Sequence, residues 1–468
     1  MAAGSSGERT RSAEAFRALC DWSAAAASRP LPEAVRHRAA LILADDLGAM
    51  VAASAEPQVS AAVEGFAASS SATAEATVFA PGTRRLDRYA AAAANGMAAA
   101  WCELDEGFRL APCHAGAYLL PALLAEAEAR DASVVEVLSG LARAYELTAR
   151  LALAFPFATM TVHPHAAFAT VGAAAGAGIM RGLDGAKLAD AVSAAASMTF
   201  AGPFGIAPDG ALVRNAWTAA GAWIGLRAAD WTAHGIAGLA STPYDVFVTV
   251  FGTGSAPKAM TNGLGERWAV EDGYHKIFAC CQYAHSALEA TLELSARAAK
   301  DGRSVTDLAE IVVETHPKGM SLVTVEPATV LGAKFSMPHA VAAGAWLGTG
   351  GQAAFTAETL SDPAIATLRR KVTLAPHPAI GSPPHDRPAR VTWRFADGVS
   401  WSADCASARG GADQPFSEEA MIAKLGESTS RVFPAMAAPL AALVRNEDSW
   451  GERRWREMLA AMLMENSS

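Results

Sequence analysis

The stretch AAFATVGAAAGAGIM, starting at Ala166, constrains this chain more than any other. A helix with alanine and glycine on nearly every face has no polar side to offer water, so it is expected in the interior, from about Ala166 to Ile179. Its small side chains let neighbouring helix backbones approach closely. Hydrophobic residues make up 51% of the chain, and much of that share is alanine. The expected core is therefore one of closely packed helices. Directly in front of the run stand Val162-His163-Pro164-His165. Proline is tolerated in the first turn of a helix, where its missing N–H has no partner to lose. A histidine held there in one orientation suits proton chemistry, since imidazole titrates nearest neutrality. The plainer reading is a helix start with one surface histidine and one hydrogen-bonded histidine.

From Ala13 to about Gly265 the pattern is helical, with few strand-like runs. Between Pro32 and Ala52, the residues Val35, Ala39, Ile42, Leu43, Leu47 and Met50 fall on one helical face. Further helices are expected over roughly Leu86–Ala100, Tyr118–Arg130, Val134–Ala154, Lys187–Ser197 and Ala216–Ala233. Gly252-Thr253-Gly254 has no helix-forming run behind it, which argues against a dinucleotide site.

The texture changes after about Tyr274. The β-branched run Ile311–Thr315 reads as a strand, and Arg390–Phe395 with Val399–Ala403 around Ala396-Asp397-Gly398 reads as a hairpin with a glycine turn. Helix returns at Glu418–Lys424 and Pro434–Met464. The fold class expected is mainly α. A large all-helical domain is built from both chain ends, 1–269 and 408–468, with a smaller α+β lid domain inserted at 270–407. Clefts between domains favour small-molecule sites.

Composition narrows the partners. The net charge is −9 with the two signs interspersed, so no basic stripe is present for nucleic acid. No apolar run reaches 18 residues without polar interruption, so no membrane span is expected. The opening MAAGSSGERTRSAEAF lacks the apolar core of a secretory leader and reads as a disordered lead-in. The six cysteines are scattered and none has C-x-x-C spacing, which argues against a zinc or iron–sulfur site and for a reducing, cytoplasmic setting.

Five segments, in order, resemble the MmgE/PrpD family, whose members include 2-methylcitrate dehydratase, cis-aconitate decarboxylase and iminodisuccinate epimerase. They are Asn95-Gly96 with Glu103–Gly107 and His114; Val162–His165; Val213–Trp217 with Gly225–Ala229; Lys276–Cys281 with His285; and Ala333–Pro338. The resemblance implies a helical domain with a lid, a homodimer, and chemistry without cofactor or metal on a small polycarboxylate bound at the domain interface.

Abstracting a proton beside a carboxylate needs a base of near-neutral pKa and a cation for the developing charge, and expelling hydroxide needs an acid. His163 and His114 match the family's site histidines and are the expected base and acid. Glu103 and Asp105 form a carboxylate pair that orients an imidazole or takes a proton, or is simply a charge cluster at a helix end. Gly107 stands where citrate-type members have threonine. Arg214 stands where dehydratase and decarboxylase members carry lysine, and a guanidinium grips a carboxylate with two hydrogen bonds. Trp217 replaces a histidine of those members, or is a core aromatic. Lys276 is expected to bind a substrate carboxylate from the lid side, the alternative being a surface lysine. His285 is expected in the same cleft. His165 lines the pocket or is a solvated turn residue. Cys281 with His285 suggests a thiolate nucleophile, against which stands a buried structural thiol. The function expected is a lyase, foremost a dehydratase of a hydroxylated di- or tricarboxylic acid. The alternatives are a decarboxylase or epimerase, and a family member that binds a carboxylate without turning it over.

Overall fold

The computed structural model describes residues 6–26, 29–82, 84–447 and 450–464. Helices α1 (Ser6–Ala25), α2 (Glu33–Ala53) and α3 (Pro57–Ser69) come first. A hairpin, β1 (Ala76–Val78) and β2 (Arg84–Leu86), leads to α4 (Arg88–Ala99). The two-residue strand β3 (Gly107–Phe108) precedes α5 (Ala115–Ala129), α6 (Val134–Ala154), α7 (Pro164–Met180), α8 (Gly185–Ala196) and α9 (Val213–Trp231). The opening stretch is not the lead-in expected. From Ser6 onward it is helical because Phe16, Leu19 and Cys20 share a buried face that packs towards α8. The part of that expectation covering Met1–Ser5 lies outside the described residues.

The small-residue helix is α7, buried from Pro164 to Ile179 and packed by α5, α6, α8 and α9. Glycine on a neighbour lets it sit so close. A Cβ added at Gly225 of α9 would lie 2.4 Å from Ala173 Cβ and 2.5 Å from the Ala174 backbone nitrogen. Gly225→Ala is therefore expected to destabilise the protein by about 1–3 kcal/mol, since backbone must move. Gly65→Ala on α3, where nothing lies within 4 Å, should stabilise it by up to ~1 kcal/mol. Thermal melts of the two variants check the contrast.

A short α10 (Thr242–Tyr244) continues into a π-helical turn, Asp245–Val250, and strand β4 (Gly273–Tyr274) then pairs antiparallel with β3. Helix α11 (His285–Lys300), strand β5 (Leu308–Thr315) and helices α12 (Val330–Lys334), α13 (Met337–Leu347), α14 (Ala357–Ser361) and α15 (Pro363–Arg369) follow. Strands β6 (Val372–Pro376), β7 (Ala389–Phe395) and β8 (Ser400–Cys405) complete a four-stranded sheet of order β6-β5-β7-β8. Strand β6 runs parallel to β5, with Ile311 opposite Val372, and the expected hairpin β7–β8 is antiparallel, with Trp393 opposite Trp401. Gly398 turns it at φ +87°, a conformation that glycine adopts without steric cost. Alternate residues Ile311, Val313, Val391 and Trp393 are buried, and α11 packs on β7 and β8.

The chain ends in α16 (Glu418–Thr429), α17 (Ala437–Val444) and α18 (Trp455–Met462). Helices α16 and α17 return to α2, and α18 to α5 and α6. The single helix expected over Pro434–Met464 is thus two. The protein is mainly α with small sheets. No helix among the described residues is long and apolar enough to cross a membrane.

Candidate active site

Helices α5 and α7 each begin at a histidine. His163 caps α7, its Nδ1 accepting the His165 backbone N–H at 3.1 Å. A second donor, Arg214 Nε, lies 3.5 Å from His163 Nε2. Both ring nitrogens of His163 thus face N–H donors. Burial, followed by the charges of Arg214 and His114, pushes the His163 pKa well below its ordinary value, so the ring stays neutral.

His114 precedes α5 and is the opposite case. Its Nδ1 lies 2.7 Å from Asp105 Oδ2 and 2.9 Å from the Glu106 carbonyl oxygen. Both are acceptors, so Nδ1 carries a proton, and in the neutral ring the lone pair is on Nε2. The two histidines thus have different surroundings: His114 Nδ1 faces two acceptors, whereas both nitrogens of His163 face donors.

The loop that holds Asp105 is bent sharply. Glu103 sits in the left-handed region at φ +55°, which costs a side-chain-bearing residue on the order of 1–2 kcal/mol. The bend delivers its carboxylate to two buried cations: Oε1 pairs with Arg214 Nη2, and Oε2 is 3.5 Å from Lys276 Nζ. Lys276 Nζ also lies 3.4 Å from Asp105 Oδ1. Two carboxylates thereby neutralise two cations. Burial opposes the charge on Asp105, but Lys276 and then His114 override it and hold the carboxyl below its usual range. Burial likewise opposes the Lys276 charge, and Asp105 and Glu103 override it and raise the pKa.

Behind this cluster lies a second carboxyl layer. Asp46 Oδ2 and Glu106 Oε1 converge on Gly116, where an added Cβ would meet them at 1.9 and 2.9 Å. Burial together with the nearby Asp105 and Asp45 charges pushes Glu106 up to about 8. Tyr145 and the Gly116 N–H donate to its two oxygens at 2.8 and 2.7 Å.

A cavity of about 50 Å³ opens between these elements and is walled by His114, His163, Glu103, Arg214, Tyr274 and Arg387, among others. Ligand clefts are usually ~300–1,000 Å³, so the cavity is closed around a volume that suits a few waters. Asp105, Lys276, His165, His285 and Trp217 stand outside its wall.

His165 is not a solvated turn residue. It is fully buried, with Nδ1 2.8 Å from the Tyr118 hydroxyl and its ring wedged 4.6 Å from that of His163 and 5.1 Å from that of His114. Lys276 is not at the surface but fully buried. Trp217 is buried 5.5 Å from the His163 ring, with its indole over Gly202. His285 begins α11, and its Nε2 is 3.1 Å from the Cys280 carbonyl oxygen. Burial and the Lys276 charge bring the His285 pKa down to about 3. The Cys281 thiol is in the cavity wall, pushed up to about 11 by burial and Glu103, which suits a structural thiol rather than a nucleophile.

The glycine at 107 has a spatial explanation. A Cβ there would lie 2.4 Å from Tyr274 Cζ and Oη, so the phenol of β4 fills the room that a side chain on β3 would need. Tyr274 and Arg387 are among the wall residues that the sequence alone did not single out. Tyr274 was adjacent to the Lys276 segment. Arg387 sits in a proline-rich connection without any motif.

The MmgE/PrpD N-terminal domain matches residues 17–258, and the MmgE/PrpD C-terminal domain matches residues 278–447. The cis-aconitate decarboxylase-like protein oryM of Aspergillus oryzae is 26% identical over 444 residues, covering 89% of this chain and 90% of the relative. The chain belongs to the MmgE/PrpD family.

Proposed function

We propose that the protein is a cofactor-independent lyase that forms and quenches a carbanion beside a carboxylate of a small hydroxylated di- or tricarboxylic acid, foremost as a dehydratase. The carrying observation is that His114, His163 and Arg214 share one cavity wall. His114, with Nδ1 2.7 Å from Asp105, offers a lone pair at Nε2 when its ring is neutral, and the Arg214 guanidinium stands on the same wall. On this reading His114 Nε2 takes the proton from the carbon next to the carboxylate. The electron pair moves onto that carboxylate, whose developing charge faces the Arg214 guanidinium on the same wall. The pair then returns to form the double bond as the C–O bond of the neighbouring carbon breaks. The His114 imidazolium passes its proton to the departing hydroxide, so water leaves and the base is regenerated. The segment 270–407 serves as the lid.

A second reading is favoured by the name of the Aspergillus relative. In a decarboxylase the same carbanion arises by loss of carbon dioxide, and a protonated His114 delivers a proton to carbon. Purified protein incubated with citrate, 2-methylcitrate and cis-aconitate separates the two. Rising alkene absorbance without gas supports the dehydratase, and carbon dioxide release from cis-aconitate supports the decarboxylase. Deuterium exchange into recovered substrate without either product identifies an epimerase-type proton transfer. Ligand binding with no turnover and no exchange would sink the lyase proposal.

A further inference from the structure

The charges around the cavity do not balance evenly. Glu103 and Asp105 are matched by Arg214 and Lys276, as described above, so neither of those two cations is left over for a ligand. Another part of the wall comes from the connection between β6 and β7 and from the residues just before α11. There Asp386 pairs with Arg109, which also donates to the Pro384 carbonyl oxygen at 2.9 Å. One carboxylate therefore stands against two guanidiniums, and the second belongs to Arg387.

Arg387 is only 6% exposed and lines the cavity. Its Nη1 donates to the Gln282 side-chain oxygen, a neutral acceptor. Its Nε is buried without a hydrogen bond, the nearest Asp386 oxygen lying 3.6 Å away. Neither contact is a hydrogen bond to a carboxylate at ordinary length. The backbone is held firmly, with the Arg387 carbonyl oxygen accepting from Ser286 Oγ at 2.6 Å. The guanidinium also lies 5.2 Å from the centre of the Tyr283 ring, whose other near cation is Lys318 at 5.7 Å. A buried guanidinium with an unused N–H on a cavity wall is costly unless an anion completes it.

We infer that Arg387 is the specificity-determining residue that anchors a second carboxylate of the ligand and so selects dicarboxylates over monocarboxylates. This rests on the lyase reading of the cavity but assigns a task to a residue outside the proton-transfer machinery. The planar fork suits a carboxylate in two-point contact, and Gln282 and Tyr283 hold its plane.

Calorimetric binding of succinate and butyrate to the full chain tests the inference. Wild-type protein is expected to bind succinate at least ~10-fold more tightly than butyrate, the effect of one charge-assisted anchor. In Arg387→Gln that preference should vanish, with succinate weakened by ~10-fold or more and butyrate changed less than ~2-fold. If the Gln variant does not fold, Arg387→Lys keeps the charge without the fork and should weaken succinate by several-fold with butyrate unchanged. Wild-type protein that binds neither acid, or both alike, overturns the inference. So does a folded variant that retains the wild-type succinate affinity. Succinate bound through Arg387 in a protein that turns over no hydroxy acid would instead refute the lyase reading and leave the anchor standing.

Discussion

Turnover by His114→Asn is expected to fall by about 10²–10⁴-fold, with substrate affinity changed little. Asparagine can still donate towards Asp105 and the Glu106 carbonyl, so the start of α5 keeps its shape. What disappears is the Nε2 lone pair, the base that the 2.7 Å contact with Asp105 sets up. Steady-state kinetics on whichever of citrate, 2-methylcitrate or cis-aconitate is consumed, with deuterium exchange measured in parallel, distinguish loss of proton transfer from loss of binding. A variant that exchanges and turns over at the wild-type rate would remove His114 from the chemistry.

The second large effect is on stability. Lys276→Met strips a fully buried ammonium from between Glu103 and Asp105. Two buried carboxylates are then left with Arg214 and His114 alone. Removing one partner of a buried ion pair costs about 3–5 kcal/mol, and chemical denaturation should show a loss of that size. The pH dependence carries a further signature. Asp105 has a depressed pKa in the folded protein, so its contribution is present above its unfolded pKa near ~4 and is lost as pH falls through the folded value. Without Lys276 the depression shrinks and the folded pKa rises. Acid unfolding of the variant should therefore begin at a higher pH than in the wild type. Equal denaturation midpoints at neutral and acid pH would show that the ammonium does not hold the cluster together.

The local signals in the sequence were the reliable ones. Helix α6 runs from Val134 to Ala154 as expected, because Ser133 and Glu136 form a reciprocal cap and a broad apolar face follows. The hairpin around Gly398 was equally plain, since its turn and its alternation agree. Helix α11 and the first turns of α1 escaped notice because each helix shows a buried stripe within a largely polar composition, which only the packing partner reveals. The site was legible at His114, His163, Glu103 and Arg214, which carry the family's ordered motifs and all reach one cavity wall. The division of labour was not. That Lys276 is spent on Glu103 and Asp105, and that Arg387 is left unmatched, depends on contacts between residues more than a hundred positions apart.

The fit of Tyr274 against Gly107 has a consequence for how this protein can change over time. The two positions are mutually exclusive in bulk, so position 107 cannot gain a side chain while the ring stays at 274. A chain that gains one must first shed that ring, which leaves a hole in the cavity wall in between. The present pairing is thus a ratchet, and it holds the pocket to one of two alternative outlines.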